Sequence, residues 1–221
     1  MTNSGELGTV ARSGAPSPSA CDVSDACDWL QVEAVRTGAF RPLWPGCPPV
    51  GGSLTTVRLE PAAGAPLAEL LDVLAAASER IVLVDICGRA EAQGWGTVLA
   101  TAARCFGVLG ALVHGAARDV EGLRELGFPT YARAVYPGAM GGRLRLAAVG
   151  EPVELDGSLV APGTYAVADA SGAVFFQASR RDEVLALAIE LRHREQEHLQ
   201  ALAGGADPRV VFGRTERPGG P

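Results

Sequence analysis

Residues 94–133 read GWGTVLATAARCFGVLGALVHGAARDVEGLRELGFPTYAR. Gly94 and Gly96 flank Trp95 ahead of a helix over 96–106 that is poor in bulky side chains, a composition that permits close packing. A short apolar strand over 111–114 follows, and the chain leaves it through the charged pair Arg118-Asp119. Upstream, IVLVD at 81–85 reads as another buried strand. Strand, helix and strand form a βαβ unit, so the two strands are expected to be parallel with a right-handed crossover. The fold class is therefore α/β.

The flanking sequence extends this pattern in both directions. Ser24 reads as the N-cap of a helix over 25–32. The segment 40–52 carries four prolines and reads as an extended loop. A strand is expected over 54–59, and a helix over 67–77 from apolar residues at 67, 70, 71 and 74. Beyond Asp119, a short helix over 119–126 ends at Gly127, a residue suited to a left-handed C-terminal cap. Strands are expected over 131–135, 144–149, 165–168 and 174–177, with a closing helix over 183–202. Residues 1–19 have the composition of a disordered arm, and 204–221 that of a flexible tail. In that tail Val210, Val211 and Phe212 form the one apolar cluster, suited to docking on a neighbouring subunit.

Composition narrows the function classes. At 221 residues and 48% hydrophobic, the chain can bury a sizeable core. A net charge of −6 with no Lys/Arg cluster argues against a nucleic-acid partner. No apolar run is long enough to span a membrane, and the N-terminus lacks the pattern of a secretory signal. The cysteines (Cys21, Cys27, Cys47, Cys87 and Cys105) are odd in number and show no C-x-x-C spacing, which suits reduced thiols in a cytoplasmic protein. Cys105 is expected in the core, and Cys87, after a strand, is the cysteine placed nearest the strand ends.

The chemistry-bearing residues gather where the βαβ unit ends. Arg118 can clamp a carboxylate with two parallel hydrogen bonds. Asp119 can ligate a hard cation, and it can equally cap the helix that follows it. His114, at the end of the second strand, reads either as a core histidine or as a proton carrier. Asp85 and Glu91 are further carboxylates near the same strand ends. Arg118 with Asp119 points to a small carboxylate substrate and a divalent metal.

Five segments in order resemble the RraA-like family. They are VSDACDWL at 23–30, Gly96 with ATAA at 100–103, GAARD at 115–119, LRELGFPTYAR at 123–133 and PGTYAVADASGAVFF at 162–176. With the closing helix, the resemblance covers residues 20–202, so 20–203 is expected to be one RraA-like domain. The family includes the regulator of ribonuclease activity A and the class II pyruvate aldolases that cleave 4-hydroxy-4-methyl-2-oxoglutarate; many members carry an older demethylmenaquinone methyltransferase label. This chain shows no strand-linked Gly-rich loop with a downstream acid that would support that label. The resemblance implies a three-layer β/β/α swivelling domain and a homotrimer or hexamer. It also implies a lyase that cleaves or decarboxylates a 2-oxo acid with Mg²⁺ or Mn²⁺.

On that resemblance Asp119 is the metal ligand, Arg118, Asp119 and His114 are the catalytic candidates, and Arg118 also binds substrate. Gly94 and Gly96 open a backbone nest in which Gly96, Thr97, Val98 and Leu99 hold the substrate carboxylate. The family's aldolases carry an acidic residue, twenty residues, then Arg-Asp. Here that acidic position is Thr97, with the twenty residues 98–117 between it and Arg118. A threonine is a poor Mg²⁺ ligand, which points to a diverged, specialised biosynthetic reaction in which His114 serves as acid/base. The other class the resemblance implies is a non-catalytic regulator that binds a protein partner.

Overall fold

The computed structural model describes residues 18–212. In chain order its elements are α1 (Ala20–Trp29), β1 (Ala34–Thr37), β2 (Arg41–Pro42), β3 (Val50–Pro61), α2 (Leu67–Ala75), β4 (Arg80–Asp85), β5 (Gln93–Trp95), α3 (Thr97–Cys105) and β6 (Gly110–Ala117). There follow α4 (Val120–Leu126), β7 (Thr130–Val135), β8 (Leu144–Val149), β9 (Val153–Leu155), β10 (Ser158–Val160), β11 (Tyr165–Asp169), β12 (Gly172–Phe176), α5 (Arg181–Ala203) and α6 (Pro208–Phe212).

The expected βαβ unit is present: β4 and β6 pair in parallel, with Ile81 beside Gly110 and Asp85 beside His114. The same pattern repeats on both sides, so β3, β4, β6 and β7 form a parallel block crossed over by α2, α3 and α4. Those helices bury Leu70, Leu74, Leu99 and Leu123 against Val57, Val82, Val84 and Val113. The small buried stripe of α3, Ala100 and Ala103, lets it lie close to the sheet.

The opposite face of the block carries Leu54, Ile81, Leu83, Leu112 and Tyr131, which pack against Ala166, Ala168, Ala173 and Phe175 of β11 and β12. One continuous sheet runs β1-β12-β11-β3-β4-β6-β7-β2, and its antiparallel half folds over the parallel half. This is the expected β/β/α layering of an α/β fold. A further layer, α1 and α5, covers the outer face of β11 and β12 through Val23, Ala26, Val184 and Ala188.

Three expectations need correction. First, α1 starts at Ala20, because Ser19 rather than Ser24 is its N-cap. Ser19 Oγ accepts from the Asp22 N–H at 3.1 Å and Asp22 Oδ2 accepts from the Ser19 N–H at 2.7 Å. This reciprocal box outcompetes Ser24, whose hydroxyl instead accepts from Arg36 Nε. Second, the proline-rich segment has core of its own: β2 pairs with β7, and Trp44 is buried with the α/β core. Third, part of the expected tail is ordered. Helix α6 lies on α5, with Val211 buried and the Phe212 ring edge-on to His198. Residues 1–17 of the arm and 213–221 of the tail lie outside the described residues. Among the described residues, no helix is long and apolar enough to cross a membrane.

Because the Ser19–Asp22 box fixes the start of a helix that seals the outer core, Ser19→Ala should lower unfolding stability by about 1 kcal/mol. Urea denaturation followed by circular dichroism reads this directly, and Ser24→Ala should change it less.

Candidate functional site

Strand β6 ends at Ala117, and the chain turns into α4 through Arg118 and Asp119. Asp119 makes the turn in the left-handed conformation, φ 59° and ψ 44°, which aspartate tolerates better than most residues. The conformation throws its carboxylate away from its own helix. Asp119 stands at the N-cap position of α4 yet makes no side-chain cap bond there. Its Oδ2 instead accepts from the Thr97 N–H, the first amide of α3, at 3.2 Å. Gly96, the N-cap of α3, has no side chain with which to cap it. A Cβ at Gly96 would lie 2.7 Å from Asp119 Oδ2, so only glycine admits the carboxylate here.

Arg118 completes the corner. Its N–H donates to the Trp95 carbonyl at 3.0 Å, which registers it beside β5. Its Nε faces Asp119 Oδ2 at 3.5 Å, so the two terminal guanidinium nitrogens remain for another acceptor. Arg118 and Asp119 are both partly exposed and line a cleft of about 320 Å³. Gly96, Val98 and Leu99 at the start of α3 line it as well. The remaining wall comes from Gln93, from Pro66 and Leu67 at the start of α2, and from Met140 in the 136–143 connection.

The expected nest is therefore partly spent within the chain. The Thr97 N–H is taken by Asp119, leaving the amides of Val98 and Leu99 as the first-turn donors beside the cleft. The Thr97 side chain is turned the other way: its hydroxyl donates to the Asp119 carbonyl at 3.4 Å. It also stands 2.5 Å from where a Cβ would sit on Gly122, so α4 approaches α3 closely over it. Thr97 braces the corner rather than lining the cleft.

His114 is not brought to this cleft. It is buried on the other face of β6, where its ring meets Phe40 edge-on with centroids 6.4 Å apart. Nδ1 lies 2.8 Å from Asp85 Oδ1, and Nε2 lies 2.8 Å from Arg133 Nη1. A guanidinium can only donate, so Nε2 is the acceptor and the neutral ring gives its Nδ1–H to Asp85. Asp85 also accepts the Cys87 N–H at 2.8 Å, and Arg58 Nε lies 3.6 Å from its other oxygen. Arg133 reaches on to Asp156, whose carboxylate also accepts from Thr37. Both histidine nitrogens are thus bonded inside a buried network.

Neither of the further carboxylates expected near the strand ends reaches the cleft: Asp85 belongs to that network, and Glu91 pairs with Arg89 at the surface. Cys87 is exposed at the end of β4, and desolvation, followed by the Asp85 charge, pushes its thiol pKa up, away from a reactive thiolate. Cys105 is exposed rather than in the core. Among the described residues, no group of three or more His, Cys, Asp or Glu side chains could hold a metal. Among the described residues Asp119 is the single carboxylate on the cleft, which suits one carboxylate bond to a hydrated Mg²⁺ rather than a protein cage.

Pro66, Leu67, Gln93 and Met140 carry no local sequence signal for this cleft, since they come from three separate parts of the chain: the start of α2, β5 and the 136–143 connection. The Asp85–His114 pair had a signal: the residues are direct partners in the β4/β6 register.

Removing the imidazole leaves Asp85 and Arg133 facing a void, so His114→Ala should destabilise the fold by about 3 kcal/mol. Thermal denaturation checks this, and per folded molecule the variant should keep the cleft's ligand binding.

Comparison with known proteins places this geometry in a family. The family model RraA-like, described as Aldolase/RraA, matches residues 20–175. Protein DlpA of Legionella pneumophila is 29% identical over 57% of this chain, which spans 20% of DlpA's length. A Halalkalibacterium halodurans protein provisionally named 4-hydroxy-4-methyl-2-oxoglutarate aldolase is 25% identical, over 84% of this chain and 85% of its own. The structure of the RNA-processing inhibitor RraA from Thermus thermophilis superposes with a TM-score of 0.58 at 27% identity, covering 70% of this chain and 91% of that one.

Proposed function

The chain belongs to the RraA-like family, and on that premise we propose that it is a cytoplasmic lyase acting on a small 2-oxo acid with Mg²⁺ or Mn²⁺. One observation carries the reading: Arg118, Asp119 and the first turn of α3 converge on a single cleft. The free nitrogens of Arg118 would grip the substrate carboxylate, with the Val98 and Leu99 amides beside it. The same guanidinium lowers the energy of negative charge growing on the neighbouring carbonyl as a carbon–carbon bond breaks. Asp119, fixed on one oxygen by the Thr97 N–H, would hold the divalent ion with the other. When bound, such an ion supplies Lewis acidity for carbonyl chemistry. The apolar floor of Leu99 and Met140, both buried, excludes water from the reacting carbons.

A regulator that binds a protein partner is the second reading. It is favoured by the lone carboxylate of the cleft and by the exposure of Val98 and Leu67 at its rim.

The test is carbon–carbon cleavage of 4-hydroxy-2-oxo acids and decarboxylation of oxaloacetate, with and without EDTA. Activity should require the ion and fall by about a hundredfold or more in Arg118→Ala and Asp119→Ala, with far-UV circular dichroism unchanged. Thr97→Asp, which loses the hydroxyl bond to the Asp119 carbonyl and sets a second carboxylate in the corner rather than on the cleft, should lower thermal stability without Mg²⁺ and recover it when Mg²⁺ is added. Full activity in both alanine variants would remove the site assignment, and no turnover by the unaltered chain would favour the regulator.

The same reading includes assembly as a homotrimer or hexamer. Light scattering at micromolar concentration should give at least three times the mass of one chain.

A further inference from the structure

The cleft's charge and shape bear on which 2-oxo acid it takes. Arg118 is the one cationic side chain among the described residues that line it. Lining the cleft with it are the apolar side chains of Pro66, Leu67, Val98, Leu99, Ala139 and Met140, with Gln93 the one neutral polar side chain among the described residues there. Arg143, the next cation along the 136–143 connection, donates to the Ala139 carbonyl at 3.2 Å and does not line the cleft. Leu99 and Met140 form a buried floor, 4% and 9% exposed, whereas Val98 is 65% exposed at the rim. A substrate with one carboxylate on Arg118 would lay its other end against this apolar wall. A second carboxylate there would lose water without gaining a cation, and would also face Asp119.

Resting on the 2-oxo acid reading above, we propose that the cleft selects a monocarboxylate whose distal part is alkyl, and rejects dicarboxylates. For a lyase this describes a 4-hydroxy-2-oxo acid with an alkyl group on C4. Breaking its C3–C4 bond releases an aldehyde or ketone as the 4-hydroxyl loses its proton, and C3 takes a proton to give pyruvate. The reaction that supplies such a substrate would build an apolar carbon skeleton rather than a second acid group.

The experiment is calorimetric binding to the full chain in the presence of Mg²⁺. One arm is the series pyruvate, 2-oxobutyrate, 2-oxopentanoate and 2-oxohexanoate. The other compares 2-oxoglutarate with 5-methyl-2-oxohexanoate, in which an isopropyl group replaces the distal carboxylate. Affinity should rise about threefold per added methylene, and the isopropyl compound should bind at least about tenfold more tightly than 2-oxoglutarate. Val98→Lys, a change at an exposed rim position, should reverse that preference. If 2-oxoglutarate binds as tightly as its alkyl counterpart, the inference falls while the 2-oxo acid reading stands. If neither compound binds, both fall. If the alkyl preference holds but no carbon–carbon cleavage is found, the inference stands and the lyase reading fails.

Discussion

A single carboxylate holds together the corner from which the site is built. Asp119 leaves β6 in a left-handed turn and spends one oxygen on the first amide of α3, a helix twenty-two residues upstream. That bond ties the exit of one parallel strand to the entry of the preceding crossover helix. It also cancels an unpaired N–H at a helix terminus that Gly96 cannot cap. The left-handed turn costs roughly 1 kcal/mol or more, and it persists because three close approaches require it. Gly96 leaves room for the carboxylate, Gly122 leaves room for Thr97, and the Thr97 hydroxyl closes on the Asp119 carbonyl. Arg118 is carried by the same turn, so its position depends on a bond it does not make.

The two faces of β6 serve different ends. Gly115, with φ 159°, lies where the β6/β7 register shifts between Val113 and Ala116. At that shift, His114 points into the inner core and is consumed by Asp85 and Arg133. After it, Arg118 and Asp119 stand at the helix-covered side with donors and acceptors unspent. A polar group bonded at both ends in a dry interior fixes structure, whereas one bonded at one end beside a cleft is open to a ligand. By that criterion Arg118 and Asp119 are the pair open to a ligand, and His114 holds β4, β6 and β7 in place. Through Arg133 and Asp156 the network also reaches the turn between β9 and β10, which helps press that hairpin onto the inner core.

The parallel block was legible because its signals are local: apolar strands, small-residue crossovers and a charged strand end. Arg118 and Asp119 could be found for the same reason, since they are adjacent in sequence and stand at a strand exit. Three kinds of information were not local. The partner of the Asp119 carboxylate is an amide, which no residue type announces, so a cap for α4 was the natural expectation. The inner core needs knowledge that β11 and β12 fold over the parallel strands, and only that packing shows His114 to be enclosed. The cleft's apolar wall joins the start of α2 to the 136–143 connection, which lie far apart in the sequence. The start of α1 was misplaced for a simpler reason: two serines, Ser19 and Ser24, offer the same cap, and the decision rests on Asp22 answering one of them.

The absence of an acid at position 97 has a structural consequence beyond metal binding. An acidic side chain there would compete with Asp119 for the positive end of α3, and two carboxylates in that corner would repel unless a cation lay between them. With Thr97 the corner is neutral enough to stand without an ion: one carboxylate is matched by Arg118 and by a backbone amide, and the hydroxyl adds a bond to the Asp119 carbonyl. The chain has thereby separated the integrity of its corner from metal occupancy. An ion bound there, as proposed above, would be held by one oxygen and by its ligand, so affinity for the ion and affinity for the substrate would be coupled. That coupling gives the cleft's wall its weight. With a single protein carboxylate on the ion, the apolar contacts that seat the proposed substrate would also determine how firmly the ion is kept.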